Sequence, residues 1–211
     1  IGSTTIAITQ LSKEVGRMFG FAKENLRLSI DAVLNSSTAE MEKINQNEEY
    51  LDYLNAEIAQ YMAKISSVDM QYSDSEVTTA LFKMTNDLER IGDHCTNLVE
   101  YVAAMDEKER SFSKNALDEL QQMGETLNRM MDTLEKSTMK NLEETYKSTV
   151  EGEQRIDDLC AQFRANQIKR LKKGKCNASS CVMYSEMLTD MERISDHMMN
   201  LAEASYRNHF T

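Results

Sequence analysis

Carboxylates four residues apart recur along the sequence and are its clearest chemical feature. The four E-x-x-x-D pairs are Glu48 with Asp52, Glu89 with Asp93, Glu153 with Asp157, and Glu192 with Asp196. Like charges four apart on one helix face repel by a few tenths of a kcal/mol, so the recurrence calls for something that compensates it. A bound cation would do so, and solvated acidic helix faces are the alternative. Carboxylate oxygens suit Mg, Ca, Mn or Fe, whereas structural zinc sites use thiolate and imidazole ligands.

A longer motif shows that the acid pairs belong to an internal duplication. The segment 87–100, D-L-E-R-I-G-D-H-C-T-N-L-V-E, returns at 190–203 as D-M-E-R-I-S-D-H-M-M-N-L-A-E, displaced by 103 residues. On a helical wheel, the acids and the asparagine of each copy share one face, and the apolar residues lie opposite. Where two helices of one half pack together, their pairs would converge into four carboxylates plus Asn97, or Asn200 in the other half.

The elements that position these pairs are long helices. Proline is absent and glycine is scarce, and both facts favour uninterrupted helices. Apolar residues at three-to-four spacing predict helices near 11–35, 39–66, 75–105, 113–138, 140–173 and 181–208. A break is expected at Ser66-Ser67, and Gly174 is expected to end the fifth helix. Because short connections make neighbours antiparallel, we predict an all-α fold of two tandem, pseudo-symmetric three-helix bundles, residues 1–107 and 108–211.

Charge and cysteine usage restrict the partners and the compartment. The net charge of −11 disfavours nucleic acid or an anionic membrane as the main partner and favours cations. The four cysteines lack C-x-x-C spacing, so we expect reduced thiols in a cytoplasmic protein. No apolar run of about 18 residues and no secretion signal occurs. The basic segment 169–175 is expected to be a solvated helix end, with docking to an acidic partner or lipid headgroups as the alternative.

Two other interpretations of acids in a helical bundle fit less well. A ferritin-like di-iron site needs Glu-x-x-His, but the residue three before each histidine is Ile91, Ile194 or Tyr206. No nucleophile, catalytic triad or glycine-rich phosphate loop is recognisable, so we expect no enzyme. His94 and His197 lie about 100° from the preceding aspartate on the wheel, which favours a helix-packing role over metal ligation.

These motifs resemble the signature of the PhoU domain family over about residues 11–207. The resemblance rests on E-R-I-G-D-H followed by Asn97, E-R-I-S-D-H followed by Asn200, and the upstream acid pairs. It implies two three-helix bundles that each carry a mono- or multinuclear metal site, in proteins that govern phosphate uptake. The implied ligands are Glu48, Asp52, Glu89, Asp93 and Asn97 in the first half, and Glu153, Asp157, Glu192, Asp196 and Asn200 in the second. Ser195 stands where the family usually has Gly. Some members of the family appear without metal, so the resemblance also allows a protein that binds none.

Two branches of the family remain to be distinguished. Free-standing PhoU proteins are adaptors between a phosphate ABC transporter and its sensor kinase, whereas sodium/phosphate cotransporters carry a similar domain after their membrane part. The D-H-C-T-N-L and D-H-M-M-N-L segments, and the start without Met, resemble the second branch. We therefore expect a regulatory domain of a sodium-dependent phosphate cotransporter, on the cytosolic face of the inner membrane, partnered with the membrane part. The free-standing adaptor is the alternative, a metal-dependent phosphatase is a third hypothesis, and homo-oligomerisation is left open.

Overall fold

A computed structural model describes residues 2–65 and 71–209 of the chain. These ranges contain six helices and no strand: α1 Gly2–Asn35, α2 Met41–Ile65, α3 Tyr72–Glu107, α4 Lys114–Glu135, α5 Leu142–Lys172 and α6 Ala178–Asn208. The all-α prediction is confirmed, and the expected break at Ser66-Ser67 lies outside the described residues. The first helix begins well before residue 11, because its added turns bury Ala7 beside the core.

The helix ends follow local capping chemistry. Gly174 ends α5 as expected, with a φ of 65° that side-chain-bearing residues rarely adopt. Its N–H donates to the Leu171 carbonyl, and the Lys175 N–H donates to the Arg170 carbonyl at 2.9 Å, which is a Schellman motif. At the start of α6, Asn177 Oδ1 accepts from the Ser180 N–H at 2.8 Å. The α5–α6 turn is therefore fixed at both sides.

The six helices form two three-helix groups that share a core. Helices α1, α2 and α3 pack on one another, as do α4, α5 and α6, and the groups meet where α3 packs against α6 and α1 against α4. One continuous apolar cluster runs through both groups and includes Met18, Leu88, Met123 and Ile194. The tandem three-helix architecture is thus confirmed, while the division into domains at residues 107 and 108 stays a prediction.

No helix within the described ranges has an 18-residue stretch that is apolar enough to cross a bilayer. The paired acids lie where α2 faces α3 in the first bundle and where α5 faces α6 in the second. Each of these four helices carries one E-x-x-x-D pair.

Candidate metal centre

Three of the predicted ligands meet between α2 and α3. Glu48 and Asp52 extend from α2 and Asp93 from α3, and one carboxylate oxygen of each lies within 4.8 Å of the others. The apolar face of α2, which includes the fully buried Leu51, turns this acid pair toward α3. We call Glu48, Asp52 and Asp93 the acid cluster. Its all-oxygen donor set is typical of sites for Mg, Ca, Mn or Fe.

Glu48 is the residue of the acid cluster that most needs a counterion. Both of its carboxylate oxygens are buried, and neither has a hydrogen-bond donor. Burial, then the adjoining carboxylate of Asp93 and the charges of Asp52 and Glu89, raise the pKa of Glu48 to about 8. Burial also raises the pKa of Asp52, with the charge of Asp93 acting in the same direction. The cluster therefore requires either a proton or a cation.

Gly92 provides the space in which Glu48 sits. A Cβ placed on Gly92 would lie 2.4 Å from Glu48 Oε2 and 2.6 Å from Leu51 Cδ1, both far inside van der Waals contact. The glycine of the E-R-I-G-D-H motif thus lets α2 approach α3 closely enough for the carboxylates to converge. The unpartnered oxygens of Glu48, held in this space beside Asp52 and Asp93, fit a bound cation.

Glu89 lies at the rim of the acid cluster. Burial and the charge of Asp93 raise the pKa of Glu89, while the charge of Arg90 opposes that shift. Arg90 Nη1 is 3.2 Å from Asp93 Oδ2, and Arg90 Nε is 3.8 Å from Glu89 Oε2. The guanidinium is exposed, so this contact leaves the buried oxygens of Glu48 without a partner.

The second bundle repeats the acids without repeating the cluster. Burial and nearby carboxylates raise the pKa of both Glu153 and Asp157, so the pairs on α5 and α6 do face each other. Within the described part of the chain, however, no three carboxylates among Glu153, Asp157, Glu192 and Asp196 come within sharing distance of one ion. The duplication in sequence is therefore not a duplication of site geometry.

Two residues account for the difference between the bundles. Arg164 Nη2 donates to Glu192 Oε2 at 3.0 Å and to Thr189 Oγ1 at 2.9 Å, so a half-exposed guanidinium already pairs with Glu192. Ser195 stands at the position of Gly92 and is fully buried, so the second bundle has a side chain where the first bundle has none.

The predicted asparagine ligands have contacts elsewhere. Asn97 Nδ2 donates to Asp190 Oδ1 at 3.1 Å, and Asn200 Nδ2 donates to Asp87 Oδ1 at 3.0 Å. Both bonds cross from one bundle to the other between α3 and α6. The side-chain nitrogens of both asparagines are thus used in the contact between the bundles, and metal ligation by Asn97 and Asn200 stays a prediction.

The two histidines complete the same contact, which we call the interbundle clamp. His94 Nδ1 is 2.6 Å from Asp190 Oδ1, and His197 Nδ1 is 2.8 Å from Asp87 Oδ1. The two rings stack with centroids 5.7 Å apart. The histidines therefore pack the helices together, as their angular offset from the acids suggested.

Sequence reasoning overlooked the aspartates of the clamp and the arginine of the second bundle. Asp87 and Asp190 are the first residues of the two copies of the motif. They are 103 residues apart, as His94 and His197 are, and this equal displacement could have indicated that the four residues act together. Arg164 corresponds to Ala59 at the displacement of 105 that relates α5 to α2. That substitution marks the place where the two halves differ in charge.

Solved structures share the fold over nearly the whole chain. PhoU from Pseudomonas aeruginosa superposes with a TM-score of 0.89 at 16% identity, covering 97% of this chain and 98% of that one. The phosphate transport system regulatory protein PhoU from Streptococcus pneumoniae gives 0.80 at 17% identity, covering 98% and 96%. At these identities the likeness establishes the fold.

Curated relatives correct the expected branch of the family. A protein of Thermotoga maritima, "Phosphate-specific transport system accessory protein PhoU homolog 1", is 26% identical over 93% of this chain and 84% of its own length. A Xylella fastidiosa homolog with the same description is 22% identical over 93% and 80%. The prediction of a sodium/phosphate cotransporter domain is therefore wrong, because these relatives are described as accessory proteins of the phosphate-specific transport system. The D-H-C-T-N-L and D-H-M-M-N-L segments did not distinguish the branches.

Both copies of the internal duplication match the same family. The sequence pattern described as "PhoU domain" matches the chain twice, at residues 15–102 and 120–205. Each match covers most of one bundle, and together they span most of the sequence. The chain belongs to the PhoU domain family.

Proposed function

We propose that this protein is a non-enzymatic accessory protein that regulates a phosphate-specific transport system. Membership of the PhoU domain family and the descriptions of the curated relatives support this proposal. Its partner is the membrane part of that transporter, and its place is the cytoplasm. The acidic surface suits a protein that contacts basic protein segments more than nucleic acid.

The acid cluster of the first bundle binds one divalent cation in this proposal. The observation that carries it is Glu48, whose two buried oxygens lack a donor while Asp52 and Asp93 approach within 4.8 Å. A cation there neutralises carboxylates that otherwise repel, and it joins α2 to α3 through charge. Glu89 is available at the rim. The candidates are Mg, Mn, Fe and Ca.

A metal titration of the purified chain tests the binding step. Chelator-treated protein is melted with Mg²⁺, Mn²⁺, Fe²⁺ or Ca²⁺, and the bound ions are counted by equilibrium dialysis. At about 100 times the dissociation constant, one ion should stabilise the fold by about 2.7 kcal/mol, or about 5–10 °C in Tm for a chain of this size. We expect one ion per chain.

Matched variants separate the cluster from general acidity. Asp52→Ala removes an exposed ligand and should abolish the Tm shift. Glu49→Ala removes an equally exposed acid on the same helix and should retain it. An unchanged Tm at saturating metal in the unmodified protein would overturn the cation site and leave the transport role standing.

A cellular assay tests the regulatory role independently. In a bacterium lacking its own PhoU-type accessory protein, phosphate uptake is measured with and without this chain. We expect the chain to lower uptake when phosphate is plentiful, and Asp52→Ala to weaken that effect relative to Glu49→Ala. Two results together would contradict the proposal: phosphate uptake does not respond to the chain, and the chain co-purifies with no component of the transporter.

A further inference from the structure

Two cysteines at the turn between α5 and α6 lie side by side. Cys176 Sγ and Cys181 Sγ are 3.0 Å apart, about 1 Å more than a disulfide bond. Both residues are half-buried, whereas Cys95 and Cys160 are buried. We propose that Cys176 and Cys181 form a reversible internal disulfide, a modification site that makes this end of the second bundle responsive to low-molecular-weight disulfides.

The exchange reaction balances without any further reactant. The Cys176 thiolate attacks one sulfur of a small disulfide, which forms a mixed disulfide and releases one thiolate. The Cys181 sulfur, after losing its proton, attacks the sulfur of Cys176 and releases the second thiolate. The small disulfide gains two electrons from the cysteines, and the two protons that the cysteines lose end on the two small thiols.

The surroundings of the four cysteines favour this pair. Burial raises the pKa of both Cys95 and Cys160 to about 12, and these thiols lie within the core. Burial and the hydrogen bond with Cys176 raise the pKa of Cys181 to about 11. Cys181 lies on α6 and is assigned the second step. Cys176, in the connection before α6, makes the first attack.

The disulfide would act on a buried polar network next to it. Gln167 Nε2 is 3.8 Å from Cys176 Sγ, and Gln167 Oε1 accepts from Arg170 Nε at 2.6 Å. Arg170 in turn makes two hydrogen bonds to Glu119, at 2.9 and 2.8 Å. Oxidation therefore adds a covalent link across the α5–α6 turn, directly after the basic segment 169–175 and next to Gln167.

Thiol mapping in glutathione redox buffers tests the proposal. The full chain is equilibrated at graded ratios of oxidised to reduced glutathione, quenched with acid, alkylated and mapped by mass spectrometry. We expect a Cys176–Cys181 disulfide, with Cys95 and Cys160 alkylated only after unfolding. Closing this short loop should raise Tm by about 5 °C. In Cys181→Ser, Cys176 should instead keep a glutathione adduct.

Three results would overturn the proposal. One is a glutathione adduct that persists on Cys176 in the unmodified chain. A second is disulfide-linked dimers in place of the internal bond. The third is an oxidant-dependent rise in Tm that survives in the Cys176→Ser/Cys181→Ser double variant, because that rise would come from another site.

Discussion

Arg164 Nη2 lies 3.0 Å from Glu192 Oε2, so one of the four paired acids of the second bundle already has a cation that α5 itself supplies. The first bundle has Ala59 at the matching position, so Glu89, the counterpart of Glu192, has only the exposed Arg90 beside it in the described ranges, and the buried oxygens of Glu48 face other carboxylates. The two halves of one duplicated sequence thus neutralise their carboxylates differently. One uses a guanidinium, and in our proposal the other uses a metal ion.

Opening the second bundle should create a second metal site. In Arg164→Ala/Ser195→Gly, the guanidinium is removed and space like that of Gly92 is restored, so Glu153 can approach Asp196. We expect the ion count by equilibrium dialysis to rise from one toward two per chain. Without metal, the loss of this half-exposed ion pair should cost only about 1 kcal/mol. Arg155→Ala, an exposed arginine on the same helix, is the control and should leave the count at one.

The sequence predicted the fold well because its signals are periodic. Apolar residues at three-to-four spacing, the absence of proline and the constant displacement of 103 residues are properties of the chain alone, and they determine six helices in two halves. The site was predicted only partly. Whether carboxylates converge depends on how closely two helices approach, and the E-R-I-G-D-H and E-R-I-S-D-H segments, which read the same except for Gly92 and Ser195, do not state that distance. Contacts across the bundles, such as Asn97 with Asp190, depend on packing that periodicity does not specify.

Gly92→Ala should both destabilise the fold and remove metal binding. The added methyl group would overlap Glu48 Oε2 and the buried Leu51 side chain, so the Glu48 carboxylate must leave the position that it shares with Asp52 and Asp93. Overpacking of this kind costs about 1–3 kcal/mol, which urea unfolding measures directly. Gly16→Ala is the matched control, because a Cβ there meets nothing within 4 Å. That helical substitution should stabilise the chain by about 0.5–1 kcal/mol. Equal effects of the two substitutions would contradict the role of Gly92.

Stability of the metal-free protein should fall as pH rises through the range in which Glu48 ionises. Its pKa is about 8 in the folded chain and near 4.5 in the unfolded chain, so the folded state holds more protons between these values. The free energy of unfolding should therefore decline from about pH 4.5 and level off above about pH 8. Linkage limits this slope to about 1.4 kcal/mol per pH unit, and partial solvent exposure reduces it.

Glu48→Gln provides the comparison for that pH dependence. The neutral amide should flatten the slope and make the metal-free protein more stable than the unmodified chain at pH 8, as followed by urea unfolding across pH. Saturating metal should flatten the slope of the unmodified chain as well, since a cation replaces the proton. A slope that is the same in both chains without metal would exclude Glu48 as its source.

The interbundle clamp should contribute unequally at its two ends. The Asp190 side chain is 8% exposed and accepts from both His94 and Asn97, whereas the Asp87 side chain is 16% exposed. Asp190→Ala leaves two donors unpaired at the more buried end of the interbundle clamp. It should therefore lower the free energy of unfolding by about 2–4 kcal/mol, as measured in urea. Asp87→Ala should cost about 1–2 kcal/mol.

A control and a double variant make the clamp prediction decisive. Asp118→Ala, at an exposed acid on α4, should stay within about 0.5 kcal/mol of the unmodified chain. Asp190→Ala combined with His94→Ala should cost less than the sum of the two single changes, because each single change already breaks the same contact. Simple additivity would mean that the 2.6 Å contact between these residues contributes nothing to holding α3 against α6. Since α3 and α6 are the main junction of the two bundles, a working clamp should also keep unfolding a single transition, and its loss should separate the transitions of the two halves.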